Sequence, residues 1–249
     1  MEDLSNTMSV FSHISLSDMD NVKLMSRTDT KFAFSSNKLS ILLNKISPFY
    51  HILSINNNLI HDYKSLYYDT GDFKFYFDHH NQRVNRYKVR FREYVGSGLT
   101  FLEVKCKNNK GRTIKKRMKV KKIATELSKE HKDYLTDIIG KYYSINPKQH
   151  IDFSRMTFVH KQKKERLTID INLTFSCDQQ EGDFKQIVIA EVKQERMSRS
   201  SDFMRIAKEM SILPIRLSKY CMSTLELNSD IKQNRFKRKK RFINKLKNI

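Results

Sequence analysis

Polar and apolar residues alternate with a period of two along several stretches of the chain, which predicts strands with one charged and one apolar face. Over residues 85–107, Arg86, Lys88, Arg90 and Arg92 fall on one side, and Tyr87, Val89 and Phe91 on the other. A turn at Gly96-Ser97-Gly98 leads into a second strand in which Glu103, Lys105 and Lys107 oppose Leu102, Val104 and Cys106. A third strand is expected from Gly111 to Lys119, with Thr113, Lys115, Arg117 and Lys119 against Ile114 and Met118. Residues 152–161 place Phe153, Arg155, Thr157 and Lys161 opposite Met156 and Phe158. The most regular alternation spans 166–175, with Arg166, Thr168, Asp170 and Asn172 against Leu167, Ile169, Ile171 and Leu173. Residues 61–69 and 187–195 also read as strands, the second showing Glu191, Lys193 and Glu195 together. Residues 27–32 put Arg27, Asp29 and Lys31 on one face.

Helical signals lie between these strands. One helix is expected over 38–46, capped by Asn37 and stopped by Pro48. Another begins after Asp72 as its cap and runs to His80, carrying Phe73, Phe75, Tyr76 and Phe77 as core aromatics. A third is capped by Thr125 or Ser128 and ends at Gly140, and a fourth covers about 201–210. Roughly eight half-charged strands permit two architectures. A sandwich would bury the apolar faces between sheets and scatter the cations outward; a closed barrel would gather the cations inside and cover its apolar exterior with helices.

Charge weighs on that choice. Of the 249 residues, 48 are Lys or Arg and 27 Asp or Glu, a formal net charge of +21 that favours phosphate-rich partners. Four cations in a row on one strand face repel each other unless an anion lies among them, and the arginine fork matches phosphate oxygens at two points. With 3 Pro and 6 Gly, no linker divides the chain, so one domain with tails is expected. Cys106, Cys177 and Cys221 form no CxxC pair, which argues against a zinc site or disulfide framework and fits a reducing, cytoplasmic setting. Neither a signal peptide nor an apolar run long enough to span a membrane is read from the sequence.

The motifs RTDTKF, YYDT followed by an aromatic helix, NRYKVRFREY, FLEVK, SRMTF, RLTIDINLTF, IAEVK and RLSKY occur here in that order. The series resembles the VTC domain, the polyphosphate polymerase domain of the vacuolar transporter chaperone family and its bacterial relatives, within the triphosphate tunnel metalloenzyme (CYTH-like) superfamily. The resemblance implies an α+β fold in which about eight antiparallel strands close into a barrel, the triphosphate tunnel, with helices packed outside. It divides the chain into an N-terminal arm (1–26), a tunnel domain (27–222) and a basic C-terminal tail (223–249).

The activity implied is transfer of the terminal phosphoryl group of ATP to a growing inorganic polyphosphate chain, with Mn²⁺ or Mg²⁺. Carried over position by position, Lys31, Arg90, Arg92, Lys105, Arg155 and Arg166 match the family's phosphate-binding cations, and Glu191 its metal-binding carboxylate. Lys219 matches a lysine near one end of the tunnel, and Arg216 stands where relatives often carry lysine. Phe153 replaces a tyrosine of some relatives and so lacks its hydroxyl. Glu103, Asp170 and Glu195 fall on the lumenal face as further metal ligands or as partners of neighbouring cations, the latter being expected of Glu195. Two rival readings are hydrolysis of triphosphate or nucleoside triphosphate in the same tunnel, and a non-catalytic polyphosphate-binding module. The FKRKKR run of the tail is expected to be a solvated charge run, with contact to a polyanion, an anionic membrane or a membrane partner as its other role; nucleic acid is not the expected ligand.

Overall fold

The computed structural model describes residues 2–20, 28–109, 113–178, 180–195 and 200–248, so Arg27 and Gly111 lie outside the described residues. In chain order, α1 (Glu2–Met8), β1 (His13–Ile14) and α2 (Leu16–Asp20) precede β2 (Thr28–Ser35), α3 (Leu39–Ile46), β3 (Tyr50–Leu53) and β4 (His61–Thr70). Then follow α4 (Lys74–His80), the hairpin of β5 (Arg86–Tyr94) and β6 (Leu99–Lys107), β7 (Thr113–Val120) and α5 (Lys129–Ile139). The second half holds β8 (Ile145–His160), β9 (Glu165–Cys177), β10 (Gln180–Phe184), β11 (Ile187–Gln194), α6 (Asp202–Glu209), α7 (Lys219–Leu227) and α8 (Lys237–Lys247).

Among the described residues one 11-stranded sheet forms, in the order β2-β11-β9-β8-β4-β5-β6-β7, with β10 added to β9 and with β1 and β3 joined to β8. Its pairs are antiparallel except β1 with β3. The expected closure into a barrel is not found. The described residues of β2 and β7 do not pair, because the outer edge of β2 is taken by the segment after α6. There Ile215 N–H donates to the Lys31 carbonyl at 2.8 Å, and Phe32 forms a bridge with Pro214. At the other end of the sheet, β7 is an exposed edge whose Lys115, Lys116, Arg117 and Lys119 discourage pairing with another strand.

The apolar face of the sheet is covered by α3 and α6 at one end and by α4 and α5 at the other. Leu39, Leu42, Leu43 and Ile46 recur at the i, i+3, i+4, i+7 spacing of one helical face and are all buried, with Phe203, Ile206 and Ala207 of α6, against β2, β8, β9 and β11. Each large aliphatic so buried contributes about 1.5–3 kcal/mol. Phe75 of α4 and Leu135 of α5 cover Leu66, Val89, Phe91, Leu102 and Val104 in the same way. A third cluster lies on the other side of the sheet, where Ala33 and Ile189 share the face of Lys31 and Glu191, and gathers Tyr220, Met222 and Leu225 of α7 and Ile243 and Leu246 of α8 with Ile151, Leu173 and Phe184. In that cluster Gly182 leaves room for the Phe175 ring; a Cβ would stand 2.6 Å from it.

Two expected caps differ. Asn37 lies in a 3-10 turn before α3, which has no side-chain cap. Asp72 does not cap α4; Phe73, at φ 58°, breaks the chain direction there, and the free N–H groups are taken by Asp69. Its carboxylate accepts from Thr70, Phe75 and Tyr76 N–H at 2.8 Å each and from the Tyr220 hydroxyl, while Thr70 Oγ1 accepts from Lys74 N–H. By contrast, Ser128 caps α5 with a reciprocal His131 contact, and Gly140, at φ 75°, ends that helix as the sequence indicates.

Candidate anion-binding face

Register decides which side chains share the polar face, since residues opposite each other across a ladder point the same way. Tyr67 faces Arg90 and Ser65 faces Arg92 between β4 and β5; Arg90 faces Glu103 and Lys88 faces Lys105 between β5 and β6. Arg155 faces Asp170 across β8 and β9, Thr168 faces Glu191 and Arg166 faces Lys193 across β9 and β11, and Glu191 faces Lys31 across β11 and β2. The alternation read from the sequence therefore gathers Lys31, Arg90, Arg92, Lys105, Arg155, Arg166 and Glu191 on one face of a single sheet.

Three carboxylates organise these cations. Arg90 donates from Nε and Nη2 to Glu103 Oε2 at 2.9 and 2.6 Å and from Nη1 to the Tyr67 hydroxyl at 2.7 Å, and Lys115 pairs with the other Glu103 oxygen. Arg155 grips Asp170 with two bonds of 2.5 and 2.9 Å, and Lys219, at the start of α7, pairs with the same carboxylate. Among the described residues Glu191 pairs with two lysines, Lys31 at 3.3 Å and Lys193 at 2.7 Å. Burial opposes ionisation of all three. Arg90 and Lys115 beside Glu103, Arg155 and Lys219 beside Asp170, and Lys193 and Lys31 beside Glu191 outweigh it and hold each carboxyl below its usual range.

Phe153 is the aromatic hub. The Arg92 and Arg155 guanidinium carbons stand 5.2 and 5.3 Å from its ring centre, the Lys219 ammonium 4.2 Å away, and Tyr63 stacks on it at 5.2 Å. Arg92 donates Nε to Ser65 Oγ at 3.2 Å and, among the described residues, has no carboxylate partner. Its buried guanidinium is pushed down to about 10 by desolvation and by Arg90 nearby. Lys105 and Lys88 likewise carry no ion pair or hydrogen bond among the described residues. Burial, then Arg90 and Arg92, push Lys105 well below the usual lysine value. Lys88 is pushed down to about 8, chiefly by burial.

Two of the expected residues sit apart from this centre. Arg166 shares the face but donates Nη2 to the Met19 carbonyl of α2 at 3.3 Å, at the edge of the face. Arg216 is exposed, three residues before α7, where its charge acts on Lys107. Glu195 is exposed beyond the end of β11. Lys88, Lys115, Lys193, Ser65 and Tyr63 join the face without having been assigned a role from sequence. Lys88 was legible on the same strand face as Arg90 and Arg92; Ser65 and Tyr63 carry no charge signal and needed the register with β5.

Among the described residues no group of three or more His, Cys, Asp or Glu is placed to hold a metal ion. A Mg²⁺ or Mn²⁺ ion held by one or two carboxylates and substrate phosphates needs no such cage, and Glu191 fits that pattern. It is ionised, and its lysine partners can turn away more readily than the two-point arginine grips on Asp170 and Glu103.

Lys88, Lys115 and Lys219 are each pushed down to about 8, burial being the largest cause. They lose charge as pH rises through that value, whereas the last phosphate ionisation of ATP lies near 6. The affinity of the protein for ATP, measured by calorimetry at constant ionic strength, is therefore expected to weaken several-fold between about pH 7.5 and 9.5. Folding runs the other way. Between about 8 and the ordinary 10.5 the unfolded chain holds more protons than the folded one, so these lysines make stability rise with pH.

One antiparallel sheet with α3 to α6 against its apolar side, and with cations together with α7 and α8 on the other, defines an α+β domain with a basic face. The model of the VTC domain family matches residues 26–228, and the chain belongs to that family. Comparison with curated proteins gives no match. Among solved structures, an adenylate cyclase candidate of Vibrio parahaemolyticus is similar at 13% identity and a TM-score of 0.47, over 80% of this chain and 99% of that one. An adenylyl cyclase candidate of Hippeastrum with a dominant triphosphatase activity is similar at 15% identity and 0.47, over 80% and 96%. A protein of Pyrococcus horikoshii is similar at 11% and 0.44, over 81% and 100%. Family membership supports a function related to triphosphate or polyphosphate. Among the described residues no helix is long and apolar enough to cross a membrane.

Proposed function

We propose that the basic face binds the triphosphate of ATP and transfers its terminal phosphoryl group to an inorganic polyphosphate chain. The observation that carries this reading is the arrangement of Arg92, Arg155 and Lys219 around Phe153, with Lys105 on the same face, where Arg92 and Lys105 have no carboxylate partner among the described residues. Phosphoryl transfer asks little covalent chemistry of a protein; it asks that the phosphates be held in line and that their charge be neutralised. In this reading Arg92 offers the free edge of its guanidinium to two phosphate oxygens, and Lys105 supplies a half-buried ammonium. Lys31, Arg90, Arg155, Arg166, Arg216 and Lys219 extend the cationic lining along the phosphate chain. Glu191 holds the divalent ion, Mn²⁺ or Mg²⁺, which when bound offsets charge on the phosphate oxygens. Asp170 and Glu103 set the directions of Arg155, Lys219 and Arg90 and remain occupied by them.

The test is the purified protein with ATP and Mn²⁺, scored for long polyphosphate and for orthophosphate. Polyphosphate is expected; orthophosphate alone would establish the hydrolase reading, and binding without turnover the binding-module reading. Arg92→Lys keeps the charge and loses the planar fork, so kcat/KM for ATP is expected to fall about tenfold or more, about 1.4 kcal/mol of transition-state stabilisation. Arg90→Lys should cost less in ATP affinity, because Arg90 already spends three N–H bonds on Glu103 and Tyr67. No loss in Arg92→Lys would show that charge, and not the free fork of Arg92, is what ATP uses.

A further inference from the structure

Four aromatic rings run side by side across four strands of the polar face. Phe153 of β8 lies opposite Tyr63 of β4, and Tyr63 lies opposite Tyr94 of β5. The ring centres of the first pair are 5.2 Å apart and stacked, those of the second 5.0 Å apart and inclined at 60°. Phe101 of β6 continues the row 5.9 Å from Tyr94, and the Arg117 guanidinium of β7 stands 4.4 Å from its ring centre. Phe101 faces Arg92 across the β5–β6 ladder, and Tyr94 lies two residues beyond Arg92 on the same strand face. The outer half of the row therefore borders the arginine to which a grip on phosphate has been given.

Core packing accounts for the inner half alone. Phe153 is buried in the cluster that includes α7, and Tyr63 packs against that cluster. Tyr94 and Phe101 are half-buried and, among the described residues, belong to none of the buried apolar clusters. Their surroundings on the polar face are each other, Tyr63, Arg92 and the exposed Arg117, so the two rings gain little from burial. What they offer is a flat apolar surface edged by guanidinium groups. That combination suits a planar heteroaromatic base joined to an anion, since the base stacks on the rings while the anion meets the arginine.

We propose that Tyr94 and Phe101, with Arg117 at their rim, form a stacking subsite for the nucleobase of a nucleoside triphosphate. The inference rests on the reading of the polar face as a triphosphate site. It adds what that reading leaves open, namely how a nucleotide is told from an inorganic triphosphate. Two residues of strand span about 7 Å, close to the reach of a ribose between a base and its first phosphate. A base on Tyr94 and Phe101 thus leaves its first phosphate beside Arg92.

The test measures affinities for ATP and for tripolyphosphate by calorimetry, without metal and at fixed ionic strength. Tyr94→Ala and Phe101→Ala are each expected to weaken ATP binding about fivefold or more, as for loss of one stacked ring, and to leave tripolyphosphate within about twofold. Tyr94→Phe and Phe101→Tyr keep the rings and should keep most of the ATP affinity, whereas Phe101→Leu keeps apolar bulk without the aromatic face and should behave as Phe101→Ala. Unchanged ATP affinity in both alanine variants would overturn the subsite. So would parallel losses of ATP and tripolyphosphate, which would make the rings supports of Arg92. Arg92→Lys reports on the underlying reading separately. If it leaves tripolyphosphate binding intact, the phosphate site itself is wrong; if it weakens that binding while the alanine variants leave ATP untouched, only the base subsite is lost.

Discussion

Glu191→Gln is expected to reduce turnover of ATP by about a hundredfold or more, about 2.7 kcal/mol or more in activation free energy, while ATP still binds. The substitution keeps the shape of the side chain and removes its charge. Lys31 and Lys193 then lose the carboxylate that holds them at 3.3 and 2.7 Å and become available to phosphate, so metal-free affinity for ATP should hold or rise. The two readouts separate the role of a metal-holding carboxylate from that of a structural counter-ion. Turnover rates over a Mn²⁺ titration, with calorimetric binding in its absence, check the prediction. Unchanged turnover with intact metal dependence would remove Glu191 from its proposed role; loss of ATP binding in parallel with turnover would make it a structural partner of the two lysines.

Asp69→Ala is expected to cost about 3 kcal/mol or more of stability, because it leaves buried backbone N–H groups of Phe75 and Tyr76 and the Tyr220 hydroxyl without their acceptor. For a chain of this size that corresponds to a fall in Tm of about 6 °C or more, measured by calorimetry. Asp69→Asn keeps one carbonyl acceptor and should recover part of the loss. The effect should reach the anion-binding face as well. Tyr220 follows Lys219, whose ammonium lies 4.2 Å from the Phe153 ring, so freeing the start of α7 displaces a cation from the centre of the face. A variant as stable as the parent would show that water or the chain itself replaces the carboxylate.

Much of the face was legible in the sequence because strand alternation is a local property. With successive side chains pointing to opposite sides, Arg90 and Arg92 had to share a face, as did Thr168 and Asp170, and Glu191 and Lys193. Helix faces were equally local: Leu39, Leu42, Leu43 and Ile46 needed only their spacing, and Ser128 and Gly140 only their chemistry at the helix ends. Membership of the VTC domain family was likewise carried by the order of short motifs along the chain.

Tertiary structure alone decided which cation meets which carboxylate. Arg155 and Asp170 are brought together by the β8–β9 register, and Lys219, 49 residues beyond Asp170, joins them through the placement of α7. Neither spacing carries a signal, since pairing across strands and helix docking are set by contacts distant in sequence. The same reason explains the cap of α4: Asp72 stood at the expected position, but Asp69, at the end of a buried strand, reaches the N–H groups because Phe73 turns the chain back toward it. It explains the open sheet too, for nothing in the alternation of β2 indicates that the chain near Pro214 will occupy its edge. Lys239 is the plainest case: a lysine in a run of basic residues looks solvated from sequence, and only the docking of Ile243 and Leu246 turns it toward the body of the domain and half-buries it.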